Sequence, residues 1–436
     1  MPIAAVPEYL GQDFSQASPS LRFGLYLPLW GMNQRTQALN WSTYDITYEV
    51  RGQQQQEREV KKENKVTALQ QACALSPADK KIGKAMLERQ NTSISGMEST
   101  QVLRLHATAI APFTTGLGNE HPLENGFAFL NPYGLPYLAG SGVKGVLRTA
   151  AKELASGQWD SKEWHHAEDL RHEVHNKQGK HIFDASDLDV LFGSEALTGE
   201  NHLRGVLSFW DVIPQIEGNS LMVEIMTPHQ SHYYQQKDGA GSTTPHDSGS
   251  PNPISFLTVP PNSSFAFHVV CDSARLEHMA PDLAANDRWK VLLTEAFEHA
   301  FEWLGFGAKT SVGYGAMDRD TQAETKLANA QAQARAVAEQ AAKMASLSDN
   351  ARLIVGFVLA SKNRAEQLRG GKDKPNTELH AKARALSKAA LEGVDWTPEE
   401  KRAAADALSE WLPQVIAVDM KDERKKLKLA TLRGET

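Results

Sequence analysis

The sequence predicts an α+β protein in which one antiparallel sheet carries helices on one of its faces. Segments with the alternation of strands and segments with the periodicity of helices follow each other between residues 101 and 321. Polar and partly helical sequence precedes them at residues 1–100, and alanine-rich helical sequence follows at residues 322–436. We therefore expect three regions, with the sheet in the middle one.

Residues 1–100 are expected to form a mostly helical region. The stretch ENKVTALQQACALSPADKKIGKAMLERQ has helical character, and Pro77 should break it. The stretch RGQQQQEREVKKENK is rich in glutamine and charge, so we expect a solvated run there.

Each strand and helix of the middle region is predicted by a segment of its sequence. QVLRLHATAIAPF (101–113) alternates as a strand does, and SGVKGVLRTAAKELA opens a helix. RGVLSFWDVIP and SFAFHVVCD predict two strands, and DRWKVLLTEAFEHAFEWLGFG predicts an amphipathic helix that ends at glycines before a last strand. The order β-α-β-β-α-β is the ferredoxin-like arrangement, an antiparallel sheet with helices on one face.

Two further segments complete the organisation of the chain. QQKDGAGSTTPHDSGSPNP (235–253) cannot bury a core, so we expect a flexible insertion. After residue 322 the sequence continues as helices, from LANAQAQARAVAEQAAKMASL to TPEEKRAAADALSEWLPQVI.

The composition of the chain argues against several classes of protein. The net charge of −7 argues against a uniformly basic nucleic-acid binder but is compatible with a local basic groove. Cys73 and Cys271 are too few for a disulfide framework or a cysteine-ligated zinc site, and they favour a reducing, cytoplasmic location. We expect neither a secretory signal nor a membrane span, because the corresponding apolar runs are missing from the sequence.

The first glycine-rich stretch, GSGVKG (140–145), has the spacing G-x-G-x-x-G and begins a predicted helix. A dinucleotide site would need a buried parallel strand before it, but LNPYGLPYLA is broken by prolines and glycine. A helix start can instead bind an anion, and Lys144, Arg148 and Lys152 form one basic stripe. The stripe is either a solvated face or part of a phosphate site made by Gly140, Ser141, Gly142, Lys144 and Arg148.

The second glycine-rich stretch, GFGAKTSVGYGAM (305–317), lies at a helix C-terminus, where the dipole disfavours anions. Its glycines must therefore allow a close backbone approach or positive φ angles. The stretch also supplies a cation, two hydroxyls and a ring that can stack on a base. It is either a tight structural turn or a nucleic-acid contact made by Gly305, Gly307, Lys309, Thr310, Ser311, Gly313, Tyr314 and Gly315.

The two stretches together resemble the RAMP superfamily of CRISPR effector proteins. In that family a helix start of the form G-S-S-x-K-G-x-x-R and a loop of the form G-x-G-x-K-T-x-x-G-Y-G lie together on a ferredoxin-like sheet. GLGNEHPLENGFAF, LFGS, RGVLSFWDVIP, EIMTPHQSHYYQ and PNPISFLTVPPNSSFAF resemble one branch, the RAMP subunit that caps the head of the type III-B (Cmr) complex. The resemblance covers residues 101–317. Gly142 replaces the second serine of the family pair, and the chain after residue 322 lies outside the resemblance.

The resemblance implies a non-catalytic subunit that holds the 3′ part of the CRISPR RNA beside other RAMP subunits, without a cofactor or a membrane. The guide pairs with target RNA, so specificity would lie in base pairing. In this reading His229, Tyr233 and Tyr234 join the RNA-binding residues. The alternative is a RAMP endoribonuclease that uses Asp211 or the cluster of His229, His232, Tyr233 and Tyr234.

Two other patterns have a structural and a functional interpretation. WHHAEDLRHEVHNKQGKH contains His165, His166, His172, His175 and His181, but it specifies no complete ligand set, so we expect a surface helix and no metal. KDERKKLKLATLR (421–433) holds six basic and two acidic residues and is either a solvated helix end or an extra contact to RNA or a partner.

Overall fold

The computed structural model describes residues 1–11, 13–51, 56–161, 163–164, 171–175, 181–194, 202–228, 233, 251 and 253–435. The predicted flexible insertion at 235–253 therefore lies outside the described residues, apart from 251 and 253. The chain divides into two compact units, Met1–Leu327 and Ala328–Thr436.

The first unit combines helices with small antiparallel sheets. Its strands are β1 (Gly31–Met32), β2 (Leu39–Asn40), β3 (Tyr44–Arg51), β4 (Gln56–Glu63), β5 (Val102–Ala109), β6 (Phe129–Leu130), β7 (Leu135–Pro136), β8 (Arg171–His175), β9 (His181–Ser186), β10 (Gly193–Ser194), β11 (Leu203–Arg204), β12 (Leu207–Phe209), β13 (Met222–Met226), β14 (Ile254–Thr258), β15 (Ser264–Cys271) and β16 (Met317–Arg319). Its helices are α1 (Pro19–Gly24), α2 (Lys65–Cys73), α3 (Pro77–Ser95), α4 (Gly140–Ala155), α5 (Asp187–Phe192), α6 (Ser273–Met279), α7 (Pro281–Ala284) and α8 (Arg288–His299), which continues as a π-helical turn, Ala300–Leu304. Helix and strand together give the α+β class that the sequence predicts.

The central sheet has four strands in the order β12-β15-β5-β16, and every neighbouring pair is antiparallel. Its strands and the helices α4 and α8 occur at the predicted places, in the chain order β5, α4, β12, β15, α8, β16. Because β5 and β12 are both antiparallel to β15, they run in the same direction. The ends of β5 and β12 and the start of β16 therefore lie along the same edge of the sheet, namely the edge formed by strand ends and not by an outer strand.

One face of this sheet is the apolar core. Leu105, Ala107 and Ala109 alternate along β5 on the buried face, where Phe265 and Phe267 of β15 lie beside them. The Phe267 ring lies 5.3 Å from the ring of Phe297 on α8, and α8 packs against α4. The alternation of apolar residues in these strands thus places both helices over one face.

The expectation of a mostly helical region at residues 1–100 is wrong in one segment. β3 and β4 form an antiparallel hairpin, so most of the predicted solvated run is strand. Cross-strand contacts explain this, since Thr47 Oγ1 donates to the Val60 carbonyl oxygen and Lys61 lies over the Tyr44 ring. β3 shows the alternation of a strand, with Tyr44, Ile46, Tyr48 and Val50 on one face, whereas β4 (QEREVKKE) is charged on both faces and shows no strand pattern.

The helices predicted on either side of Pro77 are present as α2 and α3. Ser76 caps α3 in a capping box with Asp79: the Asp79 backbone N–H donates to Ser76 Oγ, and the Ser76 backbone N–H donates to the Asp79 carboxylate. The break at Pro77 is therefore a helix start.

The second unit is helical. It contains the helices α10 (Asp349–Leu368), α11 (Glu378–Glu392), α12 (Pro398–Val415), α13 (Met420–Lys426) and α14 (Leu429–Arg433), and the boundary between the units falls within α9 (Thr321–Ser346). Leu427, Leu429 and Leu432 are buried in its core, whereas the lysines of the same segment are exposed. The basic segment 421–433 is therefore partly structural, and deleting it would remove core residues.

Glu400 joins the starts of two helices in this unit. Its carboxylate accepts hydrogen bonds from Ser348 Oγ and Asn350 Nδ2 and from the Thr397 backbone N–H. These bonds, led by that of Ser348, lower the pKa of Glu400 to about 2. We expect Ser348→Ala to raise the pKa of Glu400 toward its ordinary value of about 4.3, measured by carboxyl ¹³C NMR.

The sign of the resulting pH dependence follows from the lowered pKa. The carboxylate stabilises the folded unit above its unfolded pKa, and this contribution is lost as pH falls toward about 2. In Ser348→Ala part of the loss should shift to higher pH. An unchanged pKa in the variant would contradict the role of the Ser348 bond.

Candidate nucleic-acid interface

Helix α4 begins in close contact with the end of β12. A side chain at Gly140 would overlap the carbonyl oxygen of Phe209, so only glycine fits there. The Gly140 N–H donates to Asp211 Oδ1 at 2.7 Å, although Asp211 lies far away in sequence. Asp211 thus accepts one of the N–H groups that have no partner within the helix at its start.

The rest of α4 is amphipathic. Val143, Leu147 and Leu154 are buried, whereas Ser141 and Gly142 are exposed at the helix start. Lys144 and Arg148 are partly exposed on the same stripe. Among the described residues, Arg148 Nε is buried without a hydrogen-bond partner. The helix start therefore presents small residues and cations together.

The glycine loop before β16 packs first against the protein itself. Gly305, Gly307, Gly313 and Gly315 all have positive φ, between 68° and 95°. A side chain at Gly307 would overlap the Thr114 carbonyl oxygen, and one at Gly315 would overlap that of Phe306. Gly313 has no atom within 4 Å of such a side chain. Two glycines thus serve the fold, and Gly313 lies at an open position beside exposed Ser311.

Lys309 and Tyr314 lie against the hairpin of β13 and β14. Lys309 Nζ is 3.2 Å from Met226 Sδ and 5.8 Å from the centre of the Phe256 ring. The Tyr314 ring lies 5.6 Å from the same Phe256 ring. Burial, and then Glu224 nearby, raise the pKa of Tyr314. Tyr314 and Lys309 are partly covered by a hairpin that the sequence interpretation did not connect with the loop.

Both glycine stretches lie at the same edge of the sheet but at different corners. Gly140 contacts the end of β12, and the loop 305–315 leads directly into β16. β12 and β16 are the outer strands, so three strand spacings, roughly 14 Å, separate the corners. A single phosphate cannot contact both, whereas a chain of several nucleotides can.

The other predicted residues are only partly described. His229, His232 and Tyr234 lie outside the described residues, and Tyr233 is 39% exposed. Among the described residues, the structure brings together the residues of each glycine stretch.

The predicted surface helix in the histidine-rich stretch is wrong where the structure describes it. β8 and β9 form an antiparallel hairpin, in which Val174 pairs with Phe183 and both pack against the core. His172 Nε2 lies 2.6 Å from Oδ1 of the buried Asp187. His165 and His166 lie outside the described residues. The apolar cross-strand pair favours strand over helix.

No group of three or more histidine, cysteine, aspartate or glutamate side chains among the described residues is arranged to hold a metal ion. None of the helices described is both long and apolar enough to span a membrane.

The comparisons with known proteins agree with the sequence resemblance. Residues 106–318, just under half of the chain, match the RAMP superfamily. A segment of 233 residues is 28% identical to the CRISPR system Cmr subunit Cmr6 of Pyrococcus furiosus, covering 46% of this chain and 63% of that protein. The match thus spans less than two thirds of the relative.

Two similar solved structures are of Cmr proteins. A chain of the type III-B Cmr-beta complex bound to cognate target RNA aligns with a TM-score of 0.38 at 18% identity, covering 58% of this chain and 69% of that chain. The crystal structure of Cmr6 from Pyrococcus furiosus aligns with a TM-score of 0.25 at 26% identity, covering 51% and 99%. Because these TM-scores are low, the assignment rests on the sequence matches.

Residues 106–318 are therefore similar to the RAMP superfamily. A segment of the chain is also similar to part of the Cmr subunit Cmr6.

Proposed function

We propose that this protein is a non-catalytic, RNA-binding subunit of a type III-B Cmr effector complex, acting in antiviral defence in the cytoplasm. It holds the 3′ part of the CRISPR RNA and caps the filament of backbone RAMP subunits. The RAMP match over residues 106–318, which contains both glycine stretches, is the observation that carries the proposal. The partial similarity to Cmr6 supports the choice of complex.

We further propose that the domain has a ferredoxin-like core. The support is the order of the sheet, in which the first and third strands of the β-α-β-β-α-β unit, β5 and β15, lie in the middle. The edge that carries both glycine stretches is then where RNA runs. The exposed Ser141 and Gly142 at one corner and Ser311 and Gly313 at the other are open to its backbone.

Changing both motif lysines is the direct test. We expect Lys144→Gln/Lys309→Gln to lower the guide RNA that co-purifies with the tagged full-length protein by at least tenfold, because two phosphate contacts are lost. The measurement is sequencing and quantification of bound RNA, together with identification of bound RAMP subunits. The salt dependence of RNA affinity should also become less steep.

Two controls separate charge from packing. Lys382→Gln/Lys388→Gln removes the same charge from exposed sites in the second unit and should leave guide RNA unchanged. Met226→Ala removes the neighbour of Lys309 but keeps its cation. If the lysine variant retained its guides, both glycine stretches would be structural turns only.

We also propose that this subunit does not itself cleave RNA. The hydrogen bond at Asp211 supports this proposal, because the carboxylate is engaged by the backbone N–H of Gly140. Incubation of the assembled complex with target RNA, with and without Asp211→Asn in this subunit, tests it. Cleavage that depends on Asp211, His229 or His232 would establish the endoribonuclease alternative.

A further inference from the structure

Three side-chain nitrogens on the face of the central sheet opposite its helices have no hydrogen-bond partner among the described residues. They are Arg104 Nε, His106 Nε2 and His268 Nδ1, and all three atoms are buried. Buried polar atoms in folded proteins are nearly always paired, so three orphaned atoms in one place call for an explanation.

The three side chains are direct neighbours. Arg104 on β5 is the register partner of His268 on β15, and such pairs have Cβ atoms about 5 Å apart. His106 lies two residues further along β5, on the same face as Arg104. Arg104 and His106 are partly exposed, whereas His268 is 2% exposed. A ligand can therefore reach Arg104 and His106 from solvent, whereas His268 is buried beside them.

The charge of Arg104 is not balanced by a carboxylate. In the described part of the chain Arg104 has no ion pair, and burial lowers its pKa. Asp320 and Glu324 raise the pKa of His106, but burial and Arg104 outweigh them and lower it. The carboxylate of Glu324 is occupied, because it pairs with Arg319 and accepts the His106 backbone N–H.

His268 adds no charge that could replace a counter-ion. Burial, and then Arg104 and His106, lower its pKa to about 3, so its imidazole is neutral at physiological pH. Its Nε2 lies 3.2 Å from Asn91 Oδ1 on α3. The site therefore holds one uncompensated cation between two neutral imidazoles.

Arg22 and Arg319 in the same unit are satisfied by partners, whereas Arg104 Nε, like Arg148 Nε, is buried without one. The guanidinium of Arg22 donates to the carbonyl oxygens of Ala17, Gln71 and Ala74. Arg319 pairs with Glu298 and Glu324. An arginine that is desolvated without such partners is costly unless an anion binds it.

We propose that Arg104 and His106 form a binding site for one phosphate group beside the buried His268, whose Nε2–H donates to Asn91 Oδ1 and whose Nδ1 is therefore an acceptor that does not hold the anion. Arg104 supplies the charge and the planar donors that suit phosphate oxygens, and a neutral imidazole of His106 supplies one more donor. The site lies on the face of the sheet opposite α4 and α8, where Asn91 of α3 contacts His268, and apart from the two glycine stretches. The phosphate belongs either to the RNA backbone or to a free phosphate, and only the first of these sources rests on the proposed function.

Titration of the full-length protein with inorganic phosphate at constant ionic strength tests the site. We expect saturable shifts of the His106 and His268 imidazole resonances in NMR spectra, while the exposed His278 stays unchanged. Arg104→Gln should weaken phosphate binding by roughly ten- to a hundredfold, and Arg104→Lys by less. Arg402→Gln, which removes an exposed cation in the second unit, is the matched control.

The outcomes are distinct. Shifts that do not saturate, or that are equal at His278 or in Arg104→Gln, would overturn the site. If Arg104→Gln failed to fold, the titration of the wild-type protein alone would decide. Competition by a single-stranded RNA would identify the RNA backbone as the source, and saturation without such competition would identify a free phosphate. Loss of guide RNA in the motif-lysine variant with normal phosphate binding would separate this site from the proposed function.

Discussion

Replacing Gly315 by alanine is expected to destabilise the first unit by about 3–5 kcal/mol. The residue has φ of 72°, where an L side chain is strained. An added Cβ would also overlap the carbonyl oxygen of Phe306, and backbone cannot move aside as a flexible side chain can. The N–H of Gly315 donates to the Pro112 carbonyl oxygen, so moving the loop would break its link to the end of β5.

Gly313→Ala is the matched control in the same loop. Gly313 has φ of 95°, but a side chain there would meet no atom within 4 Å. Only the strain of the positive φ angle remains, which is about 1–2 kcal/mol. Thermal unfolding of the full chain, with hydrogen exchange of β16 to localise the effect, measures both variants. Equal losses in the two would mean that close packing does not set the requirement for glycine at 315.

The same pair separates the two interpretations of the loop. If RNA lies on the open surface beside Ser311, an added methyl group at Gly313 should lower RNA affinity while the loop stays folded. Gly315→Ala should act through folding instead. For each variant, the loss of RNA affinity is compared with the decrease in unfolding temperature. A loss of affinity without a matching decrease in unfolding temperature indicates a ligand contact, and parallel losses indicate a structural turn.

The strands and helices of the middle region are predictable because their burial is periodic. Leu105, Ala107 and Ala109 alternate along β5, and Val143, Leu147 and Leu154 repeat along α4. Each pattern depends on residues close together in the chain, so the sequence alone contains it. In the hairpin of β3 and β4 the period of two is present only in β3, where Tyr44, Ile46, Tyr48 and Val50 alternate with polar residues, whereas the charged β4 contains no such pattern.

The partners of the glycines could not be predicted in the same way. The glycines in the sequence indicate that another atom comes close to the backbone there, but they do not indicate which atom. At Gly140, Gly307 and Gly315 the answer is a carbonyl oxygen of this protein, at Phe209, Thr114 and Phe306. Two of these partners are distant in sequence, so only the folded chain reveals them. For the same reason the contact of Lys309 with Met226 and Phe256 was not expected.

The second unit depends on a buried pair that links α11 to α13. His380 and Glu423 are 1% and 3% exposed, and His380 Nε2 lies 2.7 Å from Glu423 Oε1. His380 Nδ1 accepts the backbone N–H of Asn376, so Nε2 carries the proton that is donated to the carboxylate. Burial by itself raises the pKa of Glu423, but the hydrogen bond from His380 and the charge of Lys426 outweigh it, so its pKa is lowered.

Glu423→Ala should therefore destabilise the second unit by about 1–3 kcal/mol, because it leaves a buried donor on His380 without an acceptor. Glu423→Gln keeps an acceptor oxygen and should cost less, and Glu410→Ala removes an exposed carboxylate as a control. Hydrogen exchange of α12 and α14 in the full chain measures the loss. Since the folded pKa of Glu423 is lowered, its contribution should be present above about pH 4.3 and decline as pH falls through the folded value. If Glu423→Ala lost no more protection than Glu410→Ala, the basic segment 421–433 would not be anchored by this pair, and its cations would be the part to examine for binding.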